Sequence, residues 1–426
     1  MSDTADVQVE ALAEPERNVR GLFMAGLALA NLGIMVAFFA PLQNLLPRMS
    51  EQISGPTGKE AALAIVTGVG VIGSVIGNPL AGALSDRTTS RWGRRRPWML
   101  GGSLLGFVGL ILLPNMNTIW SLTIAWLAVQ FAVNAAYAGL TATIPDQVPV
   151  RQRGVASGLV GLAQALGPVI GVGLVTFVVV SLVGGSYLTA VLFVVCVLPF
   201  LFILKDPQLP EDQKPPFHLG EFVRSFWVSP KEHPDFAWVW FTRFLVILGT
   251  AFVTSYLLYF SRDVLGKSAE EAPKTVTSIL VLYVLALLVS VLAVGPLSDR
   301  TGKVKPFVIG ASAVAALAMV ILAFAHNELM AIIAAVIMGL GFGAYTAVDL
   351  ALISRVLPNA EDRARDLGVM NIANAGPQVI APFVAGWIIS LLKVNGYSFA
   401  YAALYLTAGA ITLVGAVLVT KVRSVP

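Results

Sequence analysis

Twelve stretches of apolar residues, each long enough to cross a lipid bilayer as a helix, dominate the sequence. A membrane-spanning helix needs about 20 predominantly apolar residues. Only 12% of the 426 residues are charged, whereas soluble domains carry roughly 25% charged residues. The sequence therefore excludes a soluble enzyme and predicts an all-α membrane protein with twelve transmembrane helices. The predicted spans are 21–45, 60–84, 98–114, 119–143, 155–183, 185–204, 236–260, 275–297, 306–325, 329–354, 367–391 and 398–420.

The basic residues lie mainly on one side of the predicted membrane. Cytoplasmic loops are enriched in Lys and Arg, and a cytoplasmic N-terminus leaves six of the 28 Lys and Arg residues outside. The opposite topology would expose the arginine run 94–96. We therefore expect a multi-pass protein of the cytoplasmic membrane with both termini in the cytoplasm. The six outer basic residues are Arg48, Lys59, Arg262, Lys267, Lys274 and Lys393.

A proline-rich polar stretch, residues 205–235, separates the first six predicted spans from the last six. Proline removes a backbone donor and ends helices, so this stretch is predicted to be a cytoplasmic linker. It joins an N-terminal six-helix bundle (21–204) to a C-terminal one (236–420). The remaining residues form cytoplasmic tails, 1–20 and 421–426.

One short sequence occurs twice, half the length of the chain apart. Leu-Ser-Asp-Arg-Thr follows the second predicted span at residues 84–88 and the eighth at residues 297–301. Both copies lie at the cytoplasmic end of their spans, so the two halves are predicted to be parallel pseudo-repeats. Two such bundles can rock about a site at mid-depth, which is the geometry of alternating access.

The repeated Gly-x-Leu-Ser-Asp-Arg-Thr motif in a twelve-span chain resembles the major facilitator superfamily. The first copy continues as an extended arginine-rich loop (residues 86–98), which is similar to that of the sucrose–proton symporters and the wider glycoside–pentoside–hexuronide cation symporters. The resemblance implies the major facilitator fold and secondary transport, without enzymatic activity. On this branch the solute would be small and polar, a glycoside or disaccharide.

The loops after the second and eighth spans hold the gating candidates. The Asp86 carboxylate can pair with arginine and face the N-terminal dipole of a helix of the other half when the cytoplasmic side is closed. Two motif glycines are expected to let the helices approach closely. Charges that only set the topology are the alternative. The candidates are Gly82, Asp86, Arg87, Arg94, Arg95, Arg96, Gly295, Asp299 and Arg300.

Two charged residues lie inside predicted spans and are coupling candidates. Asp349 is the sole carboxylate well inside a span, and Arg243 lies roughly two turns into the seventh. Charged residues at membrane depth are costly and usually functional. We therefore expect an ion pair that protonation of Asp349 or solute binding breaks. A permanent neutralising pair without a transport role is the alternative.

The first half departs from the pattern of the resembled symporters. Melibiose permease-like proteins carry two aspartates in helix 2, where this chain has Ser74 and Asn78. Plant-type sucrose symporters carry an aspartate and an arginine in helix 4, where rough alignment gives Gln130 and Thr141. Sodium coupling is therefore disfavoured, while proton coupling through Asp349 and uncoupled diffusion stay open.

Sugar sites use amides and hydroxyls for the polar edge of the solute and aromatic rings for its apolar face. Residues of these types near the expected axis are candidates for substrate binding, and several are spaced three or four apart and share a helix face. Hydrogen bonding between helices is the alternative. The candidates are Asn31, Gln130, Asn134, Tyr137, Tyr256, Tyr345, Asn371, Asn374 and Gln378.

Two glycine patterns suggest other functions. Residues 68–73 match a dinucleotide-binding pattern, but they lie inside a span without a preceding strand, so helix packing is expected at Gly73. Residues 167–171 are similar to part of a helix 5 motif of drug–proton antiporters. A drug or metabolite exporter is therefore the leading alternative, and a transporter-like receptor or scaffold is a distant one.

The sequence gives no indication of a bound cofactor beyond a coupling proton. Its three histidines, His218, His233 and His326, lack metal-ligand spacing, and no phosphate-binding loop is present. The expected partners are the solute and the lipid bilayer, with no nucleic acid. We expect the monomer to be the functional unit.

Overall fold

The computed structural model describes residues 15–214, 220, 229–356 and 363–423. Every regular element in these ranges is helical, which confirms the all-α prediction. Eleven helical segments are long and apolar enough to cross a membrane. The first two predicted spans count as one of the eleven, because Gly21–Ser85 is a single helical run.

The observed helices follow the twelve predicted spans with small shifts at their ends. Those of the first half are α1 (Gly21–Ala40), α2 (Leu46–Ser85), α3 (Arg96–Leu112), α4 (Ile119–Gln147), α5 (Val150–Phe177) and α6 (Leu182–Ile203). Those of the second half are α7 (Pro234–Ser255), α8 (Leu257–Asp263), α9 (Ala272–Thr301), α10 (Lys305–Ala323), α11 (Glu328–Val356), α12 (Arg363–Leu392) and α13 (Tyr397–Leu418).

The connection between the first two spans differs from the expected loop. A π-helical turn, Pro41–Leu45, leads from α1 directly into α2, so most of residues 46–59 is helical. The helix is interrupted at Gly55, where φ is 74° and ψ is 175°. Glycine adopts positive φ without steric cost, and the next residue, Pro56, disfavours a helical conformation at position 55. The helix is therefore kinked at Gly55.

The seventh predicted span is divided into two helices. α7 ends at Ser255 and α8 begins at Leu257, with Tyr256 between them at φ −119° and ψ 17°. This backbone conformation is not helical. The break separates α7, which carries Arg243, from α8, which ends at Asp263 beyond the predicted span.

The first compact unit comprises residues 1–49 and 69–216. Within it, α1 packs against α5 and α6, and α3 packs against α4 and α6. The second part of α2 lies on α4, where a Cβ at Gly73 would be 2.5 Å from the Leu127 carbonyl oxygen. A Cβ at Gly167 would be 2.2 Å from Met35 Cβ. Both glycines permit close helix contacts, as expected for membrane bundles.

The second compact unit comprises residues 50–68 and 217–426. Within it, α7 packs against α12 and α13, α10 packs against α11 and α13, and α9 packs against α11. The same pattern of neighbours occurs in the first unit. In each half the first helix packs on the fifth and sixth, and the third helix packs on the fourth and sixth. The two halves are therefore repeats of one bundle, as the duplicated motif predicts.

Residues Ser50–Gly68 belong to the second unit by their contacts, although they precede the linker in sequence. At Gly68, an added Cβ would lie 2.9 Å from the ring of Phe383 on α12. The helix α2 therefore contributes to both units.

Candidate functional site

An ion pair joins α7 and α11 in the second unit. Arg243 Nη1 donates to Asp349 Oδ2, and the two side chains are 15% and 7% exposed. The hydroxyl of Tyr345 donates to the other carboxylate oxygen, Asp349 Oδ1, over 2.9 Å. Tyr345 and Asp349 are one helical turn apart on α11, so they share a face. The structure thus brings both coupling candidates and one substrate-binding candidate together.

The surroundings of this ion pair are apolar. Phe236 and Val246 of α7 and Val348 of α11 belong to a buried hydrophobic cluster that includes Tyr345. An ion pair in such an environment loses its hydration, and removal of one partner leaves an uncompensated charge. Arg243 Nε is buried and has no hydrogen-bond partner among the described residues. One donor of the guanidinium is therefore available to a further acceptor.

Two aromatic pairs flank the ion pair and were missed in the sequence analysis. Trp240 and Phe244 of α7 stack with ring centroids 5.2 Å apart, and Trp240 Nε1 donates to the Val369 carbonyl. Phe342 stacks on Tyr345 at 6.0 Å on α11. The sequence signal was the placement of Trp240 and Phe244 on either side of Arg243, about one turn from each other.

The first unit contains a separate polar cluster on α4 and α5. Gln164 Nε2 of α5 donates to the Tyr137 hydroxyl of α4 over 2.9 Å. The Phe38 ring of α1 meets the Tyr137 ring edge-on, with centroids 6.5 Å apart. Tyr137 was a candidate, whereas Gln164 was missed because a single amide in an apolar helix forms no local pattern. The cluster joins an amide, a hydroxyl and an aromatic face.

Other substrate-binding candidates of the first unit make hydrogen bonds within their own helices. Asn134 Nδ2 donates to the Gln130 carbonyl over 2.8 Å and lies 3.4 Å from its side-chain oxygen. Asn31 is fully buried and donates to the Leu27 carbonyl over 2.9 Å, while its Oδ1 has no partner among the described residues. These hydrogen bonds lie within single helices, so they are not the hydrogen bonds between helices that the alternative predicts.

The candidates of the second unit are more dispersed. Tyr256 is 1% exposed, and its hydroxyl lies within hydrogen-bonding distance of the carbonyls of Glu60 and Pro382, at 3.2 and 3.0 Å. Gln378 is exposed on α12 and donates to the Asn374 carbonyl over 3.4 Å. The side chain of Asn371 lies outside the described residues. Tyr256 therefore has a packing role in this structure, whereas the Gln378 side chain is exposed.

The loop after α2 forms a compact network of ion pairs. Arg95 Nη1 binds Asp86 at 2.6 Å, and Arg95 Nε donates to Asp146 at the end of α4 over 2.7 Å. Arg94 lies 3.4 Å from the same Asp146 carboxylate. Burial opposes the charge of Arg95, but Asp146 and Asp86 outweigh it and hold the pKa of the guanidinium above its usual value. Asp86 is therefore paired with arginine, and Asp146 is a partner that the sequence analysis missed.

A second carboxylate, Asp206 in the linker, fixes the start of α3. It accepts hydrogen bonds from the backbone N–H groups of Arg95 and Arg96, at 2.6 and 2.8 Å. A carboxylate at a helix N-terminus satisfies unpaired donors and the helix dipole. Gly93 permits this contact, since φ is 94° there and an added Cβ would lie 2.2 Å from Asp206 Cγ.

The remaining arginines of the first motif loop for which contacts are described donate to backbone carbonyls. Arg87 donates to the Ala83 carbonyl over 2.6 Å, and Arg96 donates to the Leu204 carbonyl. Arg300 is exposed, and the Asp299 side chain lies outside the described residues. Among the residues that the structure describes, no close helix approach occurs at the motif glycines. A Cβ at Gly82 would meet no atom within 4 Å, and one at Gly295 would lie 4.0 Å from Ala347 Cβ.

Repeated six-helix bundles of membrane-spanning length, with charged and amide groups at membrane depth, define a multi-pass membrane transporter. The profile of the Major Facilitator Superfamily matches residues 21–279 and 269–426. The chain belongs to the major facilitator superfamily, and it is a transporter rather than an enzyme.

Curated relatives match parts of the chain. The multidrug resistance protein MdtG of Escherichia coli is 28% identical over 293 residues, 63% of this chain and 64% of that protein. The general alpha-glucoside permease of Schizosaccharomyces pombe is 34% identical over 124 residues, 25% of this chain and 22% of the permease. An uncharacterized symporter of Synechocystis is 43% identical over 89 residues, 19% and 16% of the two chains. The matches thus span less than two thirds of each relative.

Solved structures match nearly the whole chain in shape. A variant of the nucleoside transporter NupG has a TM-score of 0.73 at 15% identity, covering 94% of this chain and 99% of that one. The D-xylose-proton symporter has a TM-score of 0.70 at 17% identity, covering 96% and 98%. At these identities the likeness shows the fold alone. The branch within the superfamily stays a prediction.

Proposed function

We propose that the protein is a secondary transporter for a small polar solute, a glycoside or disaccharide, and that it works by alternating access coupled to protons. The observation that carries this proposal is the buried Arg243–Asp349 ion pair with its Tyr345 hydrogen bond. An ionisable group at membrane depth is costly unless it serves transport or is permanently paired. Here the carboxylate has two protein donors, either of which a solute hydroxyl can replace.

The side chains near the ion pair support a neutral polyol as the solute. Trp240 and Phe244 offer a stacked aromatic face, and Arg243 Nε offers a free donor. The first unit has a cluster of its own, in which Tyr137 and Gln164 offer a hydroxyl and an amide. Amides and hydroxyls match the edge of a sugar, while aromatic rings match its apolar face. The names of the alpha-glucoside permease and the D-xylose-proton symporter agree with this class of solute.

Asp349 is the proposed proton carrier. While it is ionised, its charge is balanced by Arg243. Protonation removes the carboxylate charge and frees the guanidinium to bind solute oxygens, which links the proton to the solute. Sodium is disfavoured because positions 74 and 78 are Ser and Asn, which are not carboxylates.

The proposed orientation has both termini in the cytoplasm, with the Asp86 loop inside and Lys59 outside. The distribution of Lys and Arg supports it. We further propose that the protein lies in the cytoplasmic membrane, that a monomer is the functional unit, and that its partners are the solute and lipid.

Reconstitution into liposomes tests this function. The purified protein is assayed with a panel of labelled monosaccharides, disaccharides and glycosides, with and without an inward proton gradient. We expect uptake of at least one glycoside or disaccharide above that of protein-free liposomes, and stimulation by the gradient. Absence of uptake for every sugar, with transport of another class of solute, would overturn the proposed substrate.

Drug export is the second candidate function. The match to MdtG covers 63% of the chain, and Gly167 and Pro168 on α5 are part of a pattern similar to that of drug–proton antiporters. The same liposomes distinguish the two functions. A drug–proton antiporter would accumulate a lipophilic cationic dye in exchange for protons that flow down their gradient. The proposed sugar transporter would leave the dye distribution unchanged.

A further inference from the structure

Six charged residues form a second ionic cluster, which shares no residue with the network around Asp86. We call it the Lys59 cluster; its members are Glu51, Lys59, Glu60, Arg262, Asp263 and Lys393. Three are acidic and three are basic, so the cluster is neutral when every member is ionised. It contains three of the six basic residues on the proposed outer side. All six residues lie in the second compact unit.

The ion pairs of the cluster join the beginning of α2 to α8 and to the end of α12. Lys59 Nζ donates to Asp263 Oδ1 over 2.5 Å and lies 4.0 Å from Glu60. Lys393, directly after α12, donates to Glu60 Oε2 over 2.8 Å and to the Thr57 carbonyl over 2.6 Å. A third ion pair links Arg262 to Glu51. The two residues of an ion pair are 204 positions apart for Lys59–Asp263, 211 for Arg262–Glu51 and 333 for Lys393–Glu60.

The centre of the cluster is buried. The side chains of Lys59, Glu60 and Asp263 are 4%, 0% and 10% exposed. Lys59 Nζ lies 4.8 Å from the centre of the Tyr259 ring and 5.6 Å from that of Tyr397, which are cation–π distances. These rings screen Lys59 from water, so the ion pairs are screened less by salt than surface pairs are.

Close packing supports the same arrangement. The Tyr256 hydroxyl reaches the Glu60 carbonyl, and Gly386 on α12 leaves room for it, since an added Cβ would lie 2.1 Å from that hydroxyl. The same Cβ would lie 2.7 Å from Ala64 Cβ on α2. Ion pairs and close packing therefore both attach residues 57–64 to α8 and α12.

Buried ion pairs of this kind have two favourable arrangements. Either the partners stay together, or they separate completely and each charge becomes hydrated, because a partly separated buried charge is strongly unfavourable. The cluster thus favours an all-or-none transition over gradual opening. Three residues of the cluster, Glu51, Lys59 and Glu60, lie on α2, the helix that contributes to both compact units.

We propose that the Lys59 cluster is an outer latch, which holds the outer side of the transporter closed and must break before the solute site opens to the outside. This proposal rests on the alternating access proposed above. It assigns a function to Lys59, Glu60, Asp263 and Lys393, which the solute-binding and coupling hypotheses do not use.

A distance measurement across the cluster tests the latch without any solute. Spin labels are attached through Thr57→Cys and Val394→Cys, both exposed positions, in a Cys196→Ser background. Lys59→Met removes the central cation and leaves Asp263 without its ion-pair partner, while Glu60 keeps its ion pair with Lys393. We expect the ratio of closed to open protein to fall about tenfold or more, seen as a second population at longer distance. Lys267→Met is the matched control, because Lys267 pairs with Glu328 on the same side without involving α2.

The charge-swapped double variant K59D/D263K provides the second test and guards against misfolding of the single variant. It restores the ion pair in reverse, so the short distance should return. An unchanged distance distribution in the Lys59→Met protein would overturn the latch, and so would equal lengthening in the Lys267→Met protein. Because the readout needs no transport, failure of the sugar assay leaves this result interpretable.

Discussion

Tyr345 and Asp349 share one face of α11, and the tyrosine hydroxyl and Arg243 each donate to a different oxygen of the Asp349 carboxylate. Each oxygen of the carboxylate thus accepts one hydrogen bond, one from a neutral donor and one from a charged donor. Protonation at Oδ2 competes directly with the guanidinium, whereas the tyrosine contact persists. Whether Arg243 stays bound to Asp349 therefore depends on the charge of the Asp349 side chain more than on its shape.

Asp349→Asn should uncouple transport from the proton gradient. Asparagine keeps the size of the side chain but carries no exchangeable charge, so stimulation of uptake by an inward proton gradient should disappear. Exchange of labelled for unlabelled solute across the membrane should continue at a rate that no longer depends on pH. The matched control is Tyr345→Phe, which removes a hydrogen bond but no charge and should keep the response to the gradient. An unchanged pH profile in the Asp349→Asn protein would contradict the coupling role.

The two charges should depend on each other for stability. Arg243→Gln leaves a buried carboxylate without its counter-ion, which costs about 3–5 kcal/mol when the charge is retained. The double variant R243Q/D349N removes both charges, so its apparent melting temperature in detergent should exceed that of the Arg243→Gln single variant. A double variant with additive losses would show that the ion pair does not couple the two helices.

Gln164→Leu should weaken solute binding without unfolding the protein. The substitution removes the amide that donates to Tyr137 and retains the volume of the side chain. Loss of one hydrogen-bonding group costs about 1 kcal/mol, so the KM for the transported solute should rise roughly fivefold. Thr123→Val is the control, because the Thr123 hydroxyl binds its own helix at Ile119. Equal KM values for the wild type and the Gln164→Leu protein would exclude Gln164 from the site.

Gly93→Ala should destabilise the protein more than Gly302→Ala. Both glycines have positive φ, 94° and 66°, in the loops after α2 and α9. The conformational cost of alanine there is about 1–2 kcal/mol. At Gly93 the new Cβ also displaces Asp206 from the start of α3, which adds about 1 kcal/mol, whereas at Gly302 it meets no atom within 4 Å. Thermal unfolding followed by tryptophan fluorescence compares the two, and equal losses would contradict the role of Asp206.

Acidification should favour the closed latch. Burial raises the pKa of Asp263 above its usual value, and the hydrogen bonds from Lys59 and Tyr401 offset only part of that effect, while nearby Glu60 adds to it. In an open arrangement Asp263 would be hydrated and have its ordinary pKa. Protons therefore bind more tightly to the closed arrangement, which gains stability as the pH falls through the raised pKa.

The spin-labelled protein described above tests this pH effect. The short-distance population should grow as the pH is lowered through the raised pKa of Asp263, and Asp263→Asn should abolish the change. Growth of the long-distance population on acidification would contradict the prediction, since it would mean that protonation breaks the latch.

The spans, the repeat and the coupling candidates were accessible from the sequence because each leaves a local signal. Asp349 is the sole acid well inside a span, and Arg243 interrupts an apolar run. The helical start of α2 was missed because Glu51 and Pro56 resemble loop residues, although within α2 the non-helical conformation lies at Gly55.

The contacts that could not be predicted join residues far apart in the chain. Lys59 with Asp263 and Asp206 with the start of α3 have no periodic or motif signature. Such pairs depend on how complete helices pack, and a single sequence contains no direct record of that packing. Gln164 was missed for the same reason, since its partner Tyr137 lies on another helix.

Solute-induced proton movement is the most direct test of the central claim. Liposomes containing the protein are placed in a lightly buffered medium without any gradient, and the glycoside or disaccharide found in the uptake assay is added outside. We predict a transient rise in external pH as protons enter with the solute, and no such rise with the Asp349→Asn protein. Solute uptake without proton movement in the wild type, or equal proton movement in both proteins, would contradict the account.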